Sequence, residues 1–187
     1  MRIISGNFRG KKILQPKDNF TRPLKDLTKE SIFNVILHSN KFNITIEKSN
    51  ILDLFSGVGS FGLECLSRGA VSLTFIENYK KVLVVLKKNI FNLNYQAITS
   101  IIESDIFEPL ALKSLNKKYD IIFIDPPYKE RRLSLLLLRI KELKLINENG
   151  IIIIHRHKKE INQFPHDFNV IDEKNYGISK IIFGNWF

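Results

Sequence analysis

Between Ile51 and His155 the chain alternates two kinds of segment, and this alternation limits the possible folds more than any other feature. Five short runs, NILDLF, SLTFIE, ITSIIE, YDIIFID and GIIIIH, are almost continuously apolar. A strand with one wet face alternates polar and apolar residues, so an unbroken apolar run needs cover on both faces. Helical stretches lie between the runs. SFGLECLSRG is a short helix with Gly69 just past its end. Tyr79 to Phe91 is a second helix, Pro109 to Leu115 a weaker third, and the Leu-rich Arg131 to Leu145 a fourth. The tail FNVIDEKNYGISKIIFGNW carries two alternating runs around Tyr176-Gly177, the pattern of a closing hairpin. The expected fold is α/β: a doubly wound, mostly parallel seven-stranded sheet with an antiparallel strand in its C-terminal hairpin.

The first 40 residues are different. RIIS and KKILQP flank Gly6-Asn7-Phe8-Arg9-Gly10, which predicts a small β-hairpin with basic residues in and beside its turn. Pro23 suits a helix start, and Leu27, Ile32, Val35 and Ile36 share one face, so Lys25 to His38 is predicted helical. Residues 39–49 are a polar connector. The expected division is a hairpin–helix extension over 1–40 and a main domain over 41–187. With 187 residues and 44% hydrophobic side chains the chain can bury a core without staples. A single cysteine, Cys65, excludes a disulfide framework and suits a reducing compartment. No apolar run approaches the ~18–20 residues of a membrane span. The start, MRIISGNFRGKK, has no apolar region of the signal-peptide kind, so a cytoplasmic protein is expected.

Net charge is +10, and it is uneven. Residues 1–50 carry ten Lys/Arg against four Asp/Glu, residues 51–128 eight against eight, and residues 129–187 eleven against seven. A neutral middle between basic flanks suits a small-molecule site gripped by a polyanion from its sides. Arg2, Arg9, Lys11, Lys12 and Arg22 are the densest basic cluster.

Asp53-Leu54-Phe55-Ser56-Gly57-Val58-Gly59-Ser60-Phe61-Gly62 places G-x-G-x-x-G between a strand and a helix, the Rossmann-like arrangement. The first two glycines allow a tight turn and close approach of a ligand; the third allows helix and strand to pack closely. Glu77 ends the next strand, where a carboxylate can accept two hydrogen bonds from ribose hydroxyls. These residues alone do not separate a nicotinamide dinucleotide from another adenosine cofactor. Asp53, expected to face the crevice, would repel a pyrophosphate and attract an ammonium. Asp105, at the third strand end, is placed to bond an adenine amine. Both suit S-adenosylmethionine, which carries an ammonium and a sulfonium and no phosphate. The alternative is that Asp53 and Asp105 cap local turns.

Asp125-Pro126-Pro127-Tyr128 follows the fourth strand. Loops at the carboxyl ends of adjacent parallel strands line one crevice, so this loop should face the glycine loop. Two prolines make it stiff and remove donors. The Asp125 carboxylate and Pro126 carbonyl are two acceptors for a planar –NH₂ group, and Tyr128 can stack on the base that carries it. Two in-plane acceptors favour the positive charge that develops on such a nitrogen as it is alkylated.

DLFSGVGSFGLECLSRGA followed by IDPPY resembles the class I S-adenosylmethionine-dependent methyltransferases that act on amino groups. MRIISGNFRGKKI and TRPLKDLTKESIFNVI narrow the resemblance to the bacterial 16S rRNA guanine-N2 methyltransferase family. The resemblance covers nearly the whole chain. It implies that Asp53, Gly57 and Gly59 hold the methionine end of the cofactor, Glu77 the ribose, and Asp105 with Ile106 the adenine, with Phe55 also in the cofactor site. It implies that Asp125, Pro126 and Tyr128 hold the guanine, and that Arg2, Arg9, Lys11, Lys12 and Arg22 meet RNA phosphates. Small-subunit rRNA, naked or within a ribosomal particle, is the implied partner of a monomer that uses no metal. Leu24 and His155 depart from the pattern: a small polar residue and an acid are usual there. The helix between the fifth and sixth strands also looks short, at HKKEINQF.

Other activities fit less well. A cytosine-C5 methyltransferase needs a nucleophilic cysteine, and Cys65 sits on an apolar helix face, as a core residue does. The four histidines have no metal-ligand spacing. A protein glutamine methyltransferase favours Asn at position 125. An N6-adenine methyltransferase on RNA or DNA, and a non-catalytic RNA-binding module of the same fold, remain alternatives.

Overall fold

The computed structural model describes residues 1–17 and 24–187. Along the chain run α1 (Asp26–His38), β1 (Asn50–Leu54), α2 (Ser60–Ser67), β2 (Ser72–Ile76), α3 (Lys80–Asn92), β3 (Thr99–Ile102), α4 (Pro109–Lys113), β4 (Tyr119–Ile124), α5 (Leu133–Glu142), β5 (Ile146–His157), β6 (Asn169–Tyr176) and β7 (Ser179–Asn185). The strands form one sheet in the order β3-β2-β1-β4-β5-β7-β6. β1 to β5 pair in parallel, and β7 runs antiparallel to both its neighbours.

The apolar runs are strands because both faces are covered. On one face Ile51, Phe75, Ile121, Phe123, Ile153 and Phe183 meet α1, α2 and α3 through Phe33, Phe61 and Leu86. On the other, Leu52, Leu54, Ile122, Ile124, Ile152 and Ile154 meet α5 through Leu136, Leu137 and Ile140. The order reverses between β1 and β4: the chain steps outward to β2 and β3, then returns to lay β4 on the far side of β1. At such a switch point the loops diverge and open a crevice. Register sharpens this. Leu54 pairs with Ile76 and Ile124, Ile76 with Ile102, and Ile124 with Ile154. The residues that follow, Phe55, Glu77, Glu103, Asp125 and His155, therefore emerge in one row along the sheet's carboxyl edge.

The N-terminal hairpin forms as a short one: an antiparallel bridge joins Arg2 and Lys12, and Ile3 N reaches Lys11 O (2.8 Å), Gly10 N reaches Ile3 O (2.9 Å) and Ile13 N reaches Met1 O (3.1 Å). Other amides of the segment are held by α2. Glu64 accepts from Ile4 N (2.7 Å) and Ser5 N (2.9 Å), Ser67 Oγ from Phe8 N (3.0 Å), and Ser67 O from Asn7 N (2.8 Å). Ile3, Gly10 and Ile13 thus pair across the hairpin while Ile4, Ser5, Asn7 and Phe8 pair with α2, so both sets of amides are satisfied. The fourth helix is shorter than its Leu-rich stretch, because Lys144 turns left-handed (φ 51°) and β5 begins at Ile146. HKKEINQF holds no helix. Pro23, the expected helix start, lies outside the described residues, and α1 begins at Asp26.

The N-terminal segment does not stand apart from the sheet. Ile3 and Ile13 are buried in the same cluster as Phe33 of α1 and Phe61 of α2, and Leu24 is buried there too.

Candidate active site

The loop after β1 is built on left-handed residues. Phe55 (φ 58°), Gly57 (φ 55°) and Gly59 (φ 82°) turn the chain from strand into helix within five residues. For Phe55 this conformation is uncommon, since its Cβ crowds the backbone. A Cβ on Gly59 would meet Leu86 at 2.6 Å, and one on Gly62 would meet Leu73 and Phe75 at 2.8 Å, so both glycines serve close packing. Gly57 instead opens onto free space, with nothing within 4 Å of the Cβ position.

Asp53 does not face the open crevice as expected. It is buried beneath the loop, where Oδ2 accepts from Gly62 N at 3.0 Å. That is the capping role that its position also allowed. Its other oxygen, Oδ1, is buried with no hydrogen-bond partner among the described residues, and so is Ser56 Oγ. Burial pushes the Asp53 carboxyl well above the usual range; the Gly62 amide opposes this, and the nearby charges of Asp125 and Glu77 add to it. Glu77 accepts Gly57 N at Oε2 (2.8 Å), and Asn78 N (2.9 Å) and Tyr79 N (2.8 Å) at Oε1. Three of the roughly four lone-pair positions of a carboxylate are thus filled, which leaves one for a ligand hydroxyl instead of two. Asp105 Oδ1 accepts Phe107 N at 2.9 Å, a local turn, and Ile106 is buried beside it. Phe55, Ile76, Glu77, Asn78, Ser104 and Ile106 line a small crevice between these loops.

The second loop faces the first across the switch point. Asp125 N reaches Leu54 O at 3.4 Å, which ties the start of the Asp-Pro-Pro-Tyr loop to the end of β1. The Asp125 side chain keeps 22% of its surface exposed, and its Oδ1 lies 2.8 Å from Nδ1 of buried His155. The loop is clamped by Arg156, also buried. The guanidinium donates to Pro127 O (3.3 Å), Tyr128 O (3.4 Å) and Glu130 O (2.9 Å). A planar five-donor fork suits a row of neighbouring carbonyls, of which Pro127 O also accepts Glu130 N at 2.8 Å. The Tyr128 ring packs edge-on to His157, with centroids 5.1 Å apart.

Comparison with known proteins adds the decisive observation. A family model described as conserved hypothetical protein 95 matches residues 1–185. Ribosomal RNA small subunit methyltransferase D of Buchnera aphidicola subsp. Acyrthosiphon pisum is 36% identical over 172 residues, 92% of this chain and 86% of that protein. The protein of the same name from Haemophilus influenzae is 32% identical over 183 residues, 95% of this chain and 90% of its own length. This chain belongs to the small-subunit rRNA methyltransferase D family. A solved candidate methyltransferase from Escherichia coli shares its fold, with a TM-score of 0.79 and 26% identity over 98% of this chain and 96% of that one.

Membership in the methyltransferase D family gives the crevice a chemical test. The residues fit an S-adenosylmethionine-like group. The glycine loop has open space at Gly57, two orphaned buried oxygens sit beneath it, and three carboxylates surround it. Such a donor-poor, acidic cradle suits an ammonium and hydroxyls and would reject phosphates. Cys65 is fully buried in α2, where burial pushes its thiol well up, so it is inert as a nucleophile.

Arg2, Arg9, Lys11 and Lys12 are all exposed around the N-terminal segment; Arg22 lies outside the described residues. Three residues of consequence escaped the sequence reading, and His155 stands out there only as a departure from the family pattern. His155 and Arg156 lie near the carboxyl end of β5 beside the Asp125 loop, and the signal was the polar run His155-Arg156-His157 after GIIII. Glu64 and Lys29 are both buried, 3.4 Å apart, under the N-terminal segment. A lone acid in the apolar helix SFGLECLS was the available hint.

Proposed function

We propose that this protein transfers the methyl group of S-adenosylmethionine to the exocyclic N2 amine of one guanine in 16S rRNA, in the cytoplasm. The observation that carries this reading is a part-exposed Asp125 carboxylate on a clamped, proline-stiffened loop, one strand away from the glycine loop. The cofactor, when bound, supplies an electrophilic methyl carried on sulfur. Asp53, Ser56, Gly57 and Gly59 would hold its amino-acid end, Glu77 its ribose, and Asp105 with Ile106 its adenine. Phe55 would line the same crevice.

Asp125 and the Pro126 carbonyl accept the two amine hydrogens and keep the nitrogen lone pair aimed along the transfer line. Positioning of this kind lowers the barrier without a strong base. Transfer of the methyl group from sulfur to nitrogen would leave positive charge on that nitrogen, and the Asp125 carboxylate would stabilise it. The methylated amine then loses its surplus proton to water. Tyr128 stacks on the base, a contact worth ~1–3 kcal/mol.

The extension over residues 1–40 would grip RNA through Arg2, Arg9, Lys11, Lys12 and Arg22, working beside the methyltransferase domain over 41–187. Lys17 and Lys81, which line a shallow depression with Pro16 and Val85, would extend that basic surface. The substrate would be small-subunit rRNA within a ribosomal particle or free of it, and the active species a monomer.

The test is mass spectrometry of small-subunit rRNA from a deletion strain, complemented with the parent gene or an Asp125→Ala variant. One N2-methylguanine should vanish on deletion and return only with the parent. A missing methyladenine would assign adenine as the substrate, and an unchanged rRNA would refute the reading.

A further inference from the structure

Asp125 is the inner end of a three-residue chain of hydrogen bonds. Its Oδ1 meets His155 Nδ1 at 2.8 Å, and His155 Nε2 meets Ser179 Oγ at 2.9 Å. A carboxylate oxygen accepts here, so Nδ1 donates to it. Nε2 faces the Ser179 hydroxyl, which can either donate or accept. Both His155 and Ser179 are buried, and the ring is gripped at both nitrogens. The sheet places these groups together. Ile124 pairs with Ile154, so Asp125 and His155 leave adjacent strands side by side, and Ser179 begins β7 on the other side of β5.

We propose that His155 is a positioning residue for methyl transfer, engaging Oδ1 of Asp125 so that Oδ2 is presented to the target amine. This rests on Asp125 being the amine acceptor. A carboxylate on a free χ2 rotor offers either oxygen in many orientations. One held by a buried donor offers a single oxygen in one direction, in place before the substrate arrives. Asp53 lies within electrostatic reach of Asp125, and the His155 donor fixes the Asp125 carboxylate beside it.

Two near-isosteric substitutions separate the two nitrogens. In His155→Asn the side-chain amide nitrogen takes the place of Nδ1 and keeps the bond to Asp125. In His155→Gln it takes the place of Nε2 and keeps Ser179 instead. Methyl transfer to unmodified small-subunit rRNA is measured with tritiated S-adenosylmethionine, alongside cofactor affinity and melting temperature. His155→Asn should keep kcat within about 3-fold of the parent, while His155→Gln and His155→Ala lose roughly tenfold or more, with KM for RNA and cofactor Kd unchanged. Equal losses in the Asn and Gln variants, or full activity in all three, would overturn the proposal.

A second readout needs no variant. Long-range proton–nitrogen NMR of the parent should find Nδ1 of His155 protonated, and an unprotonated or averaged Nδ1 would also overturn the proposal. Asp125→Ala keeps the two readings separate. If it retains methyl transfer, the site assignment itself fails. If it is inactive with cofactor binding intact while the Asn and Gln variants match, only the role of His155 fails.

Discussion

Asp53 and Arg156 show how single residues trade stability for a site. Asp53 is a fully buried carboxyl with one orphaned oxygen, and desolvation raises its pKa in the folded state. A group with a raised folded pKa contributes stability at low pH that is lost as pH climbs from the unfolded value, about 3.9, toward the folded one. Asp53→Asn keeps an acceptor for Gly62 and removes that loss. The variant should melt higher than the parent at neutral pH, with the difference shrinking toward pH ~4. It should also bind S-adenosylmethionine roughly tenfold or more weakly, about 1.4 kcal/mol. Melting curves across pH and calorimetric titration check both, and a variant that binds the cofactor as well as the parent would remove Asp53 from the site. Arg156 acts by shape. A lysine ammonium cannot fork across three carbonyls in one plane. Arg156→Lys should speed hydrogen exchange in residues 128–131 and lower kcat about tenfold while leaving cofactor affinity alone. Slow exchange in that variant would refute the clamp.

At the scale of elements, α2 does two jobs. Its first turn closes the glycine loop, and its buried Glu64 docks the N-terminal segment. Glu64 accepts Ile4 N, Ser5 N and Arg68 Nε, and lies 3.4 Å from the Lys29 ammonium of α1. Lys29 in turn donates to Arg2 O at 2.7 Å and to Ser60 Oγ at 3.4 Å. Burial pulls the Lys29 pKa down, and Glu64 opposes that. Removing one member of a buried pair strands the other's charge. Glu64→Ala should therefore destabilise the fold by about 3–5 kcal/mol in denaturant titrations. Lys29→Met combined with Glu64→Gln should recover part of that loss, and a double variant no better than Glu64→Ala would mean that the backbone bonds dominate. The same docking links the extension to the glycine loop. Asn89 of α3 bonds Leu14 N (2.8 Å) and Leu14 O (3.1 Å) on one side and Val58 O (3.0 Å) on the other.

Across the whole molecule, charge is divided by task. The candidate crevice holds Asp53, Glu77 and Asp125, while Arg2, Arg9, Lys11 and Lys12 stand exposed on the docked extension. A polyanion held by such side chains releases counterions, so RNA affinity should fall steeply with salt. Replacing Arg9, Lys11 and Lys12 with Gln should reduce the slope of log K against log salt by about one per lost phosphate contact, leaving cofactor affinity intact. Fluorescence anisotropy with a small-subunit rRNA fragment measures it. An unchanged slope would move the RNA grip to another face.

The fold was largely legible because its signals are local. Continuous apolar runs mark strands covered on both faces, Gly57, Gly59, Gly62 and Gly69 punctuate turns, and strand–helix alternation leaves few topologies. The Glu77 and Asp125 positions were legible for the same reason, since each closes an apolar run, while Asp53 lies inside its run and Asp105 two residues past the end of its own. What each side chain does there was not. Asp53 turned inward, and three backbone amides took most of Glu77, because loop conformation follows from packing against neighbours and leaves no periodic trace. The pairs that shape the site join distant parts of the chain: Asp125 with His155, the Pro127–Glu130 carbonyls with Arg156, and Ile4 and Ser5 with Glu64. Composition and spacing settled which elements form and which strand ends carry acids. Only the sheet register and the docking of the N-terminal segment on α2 decided which of those groups meet, since hydrogen bonding depends on distance in space and not along the chain.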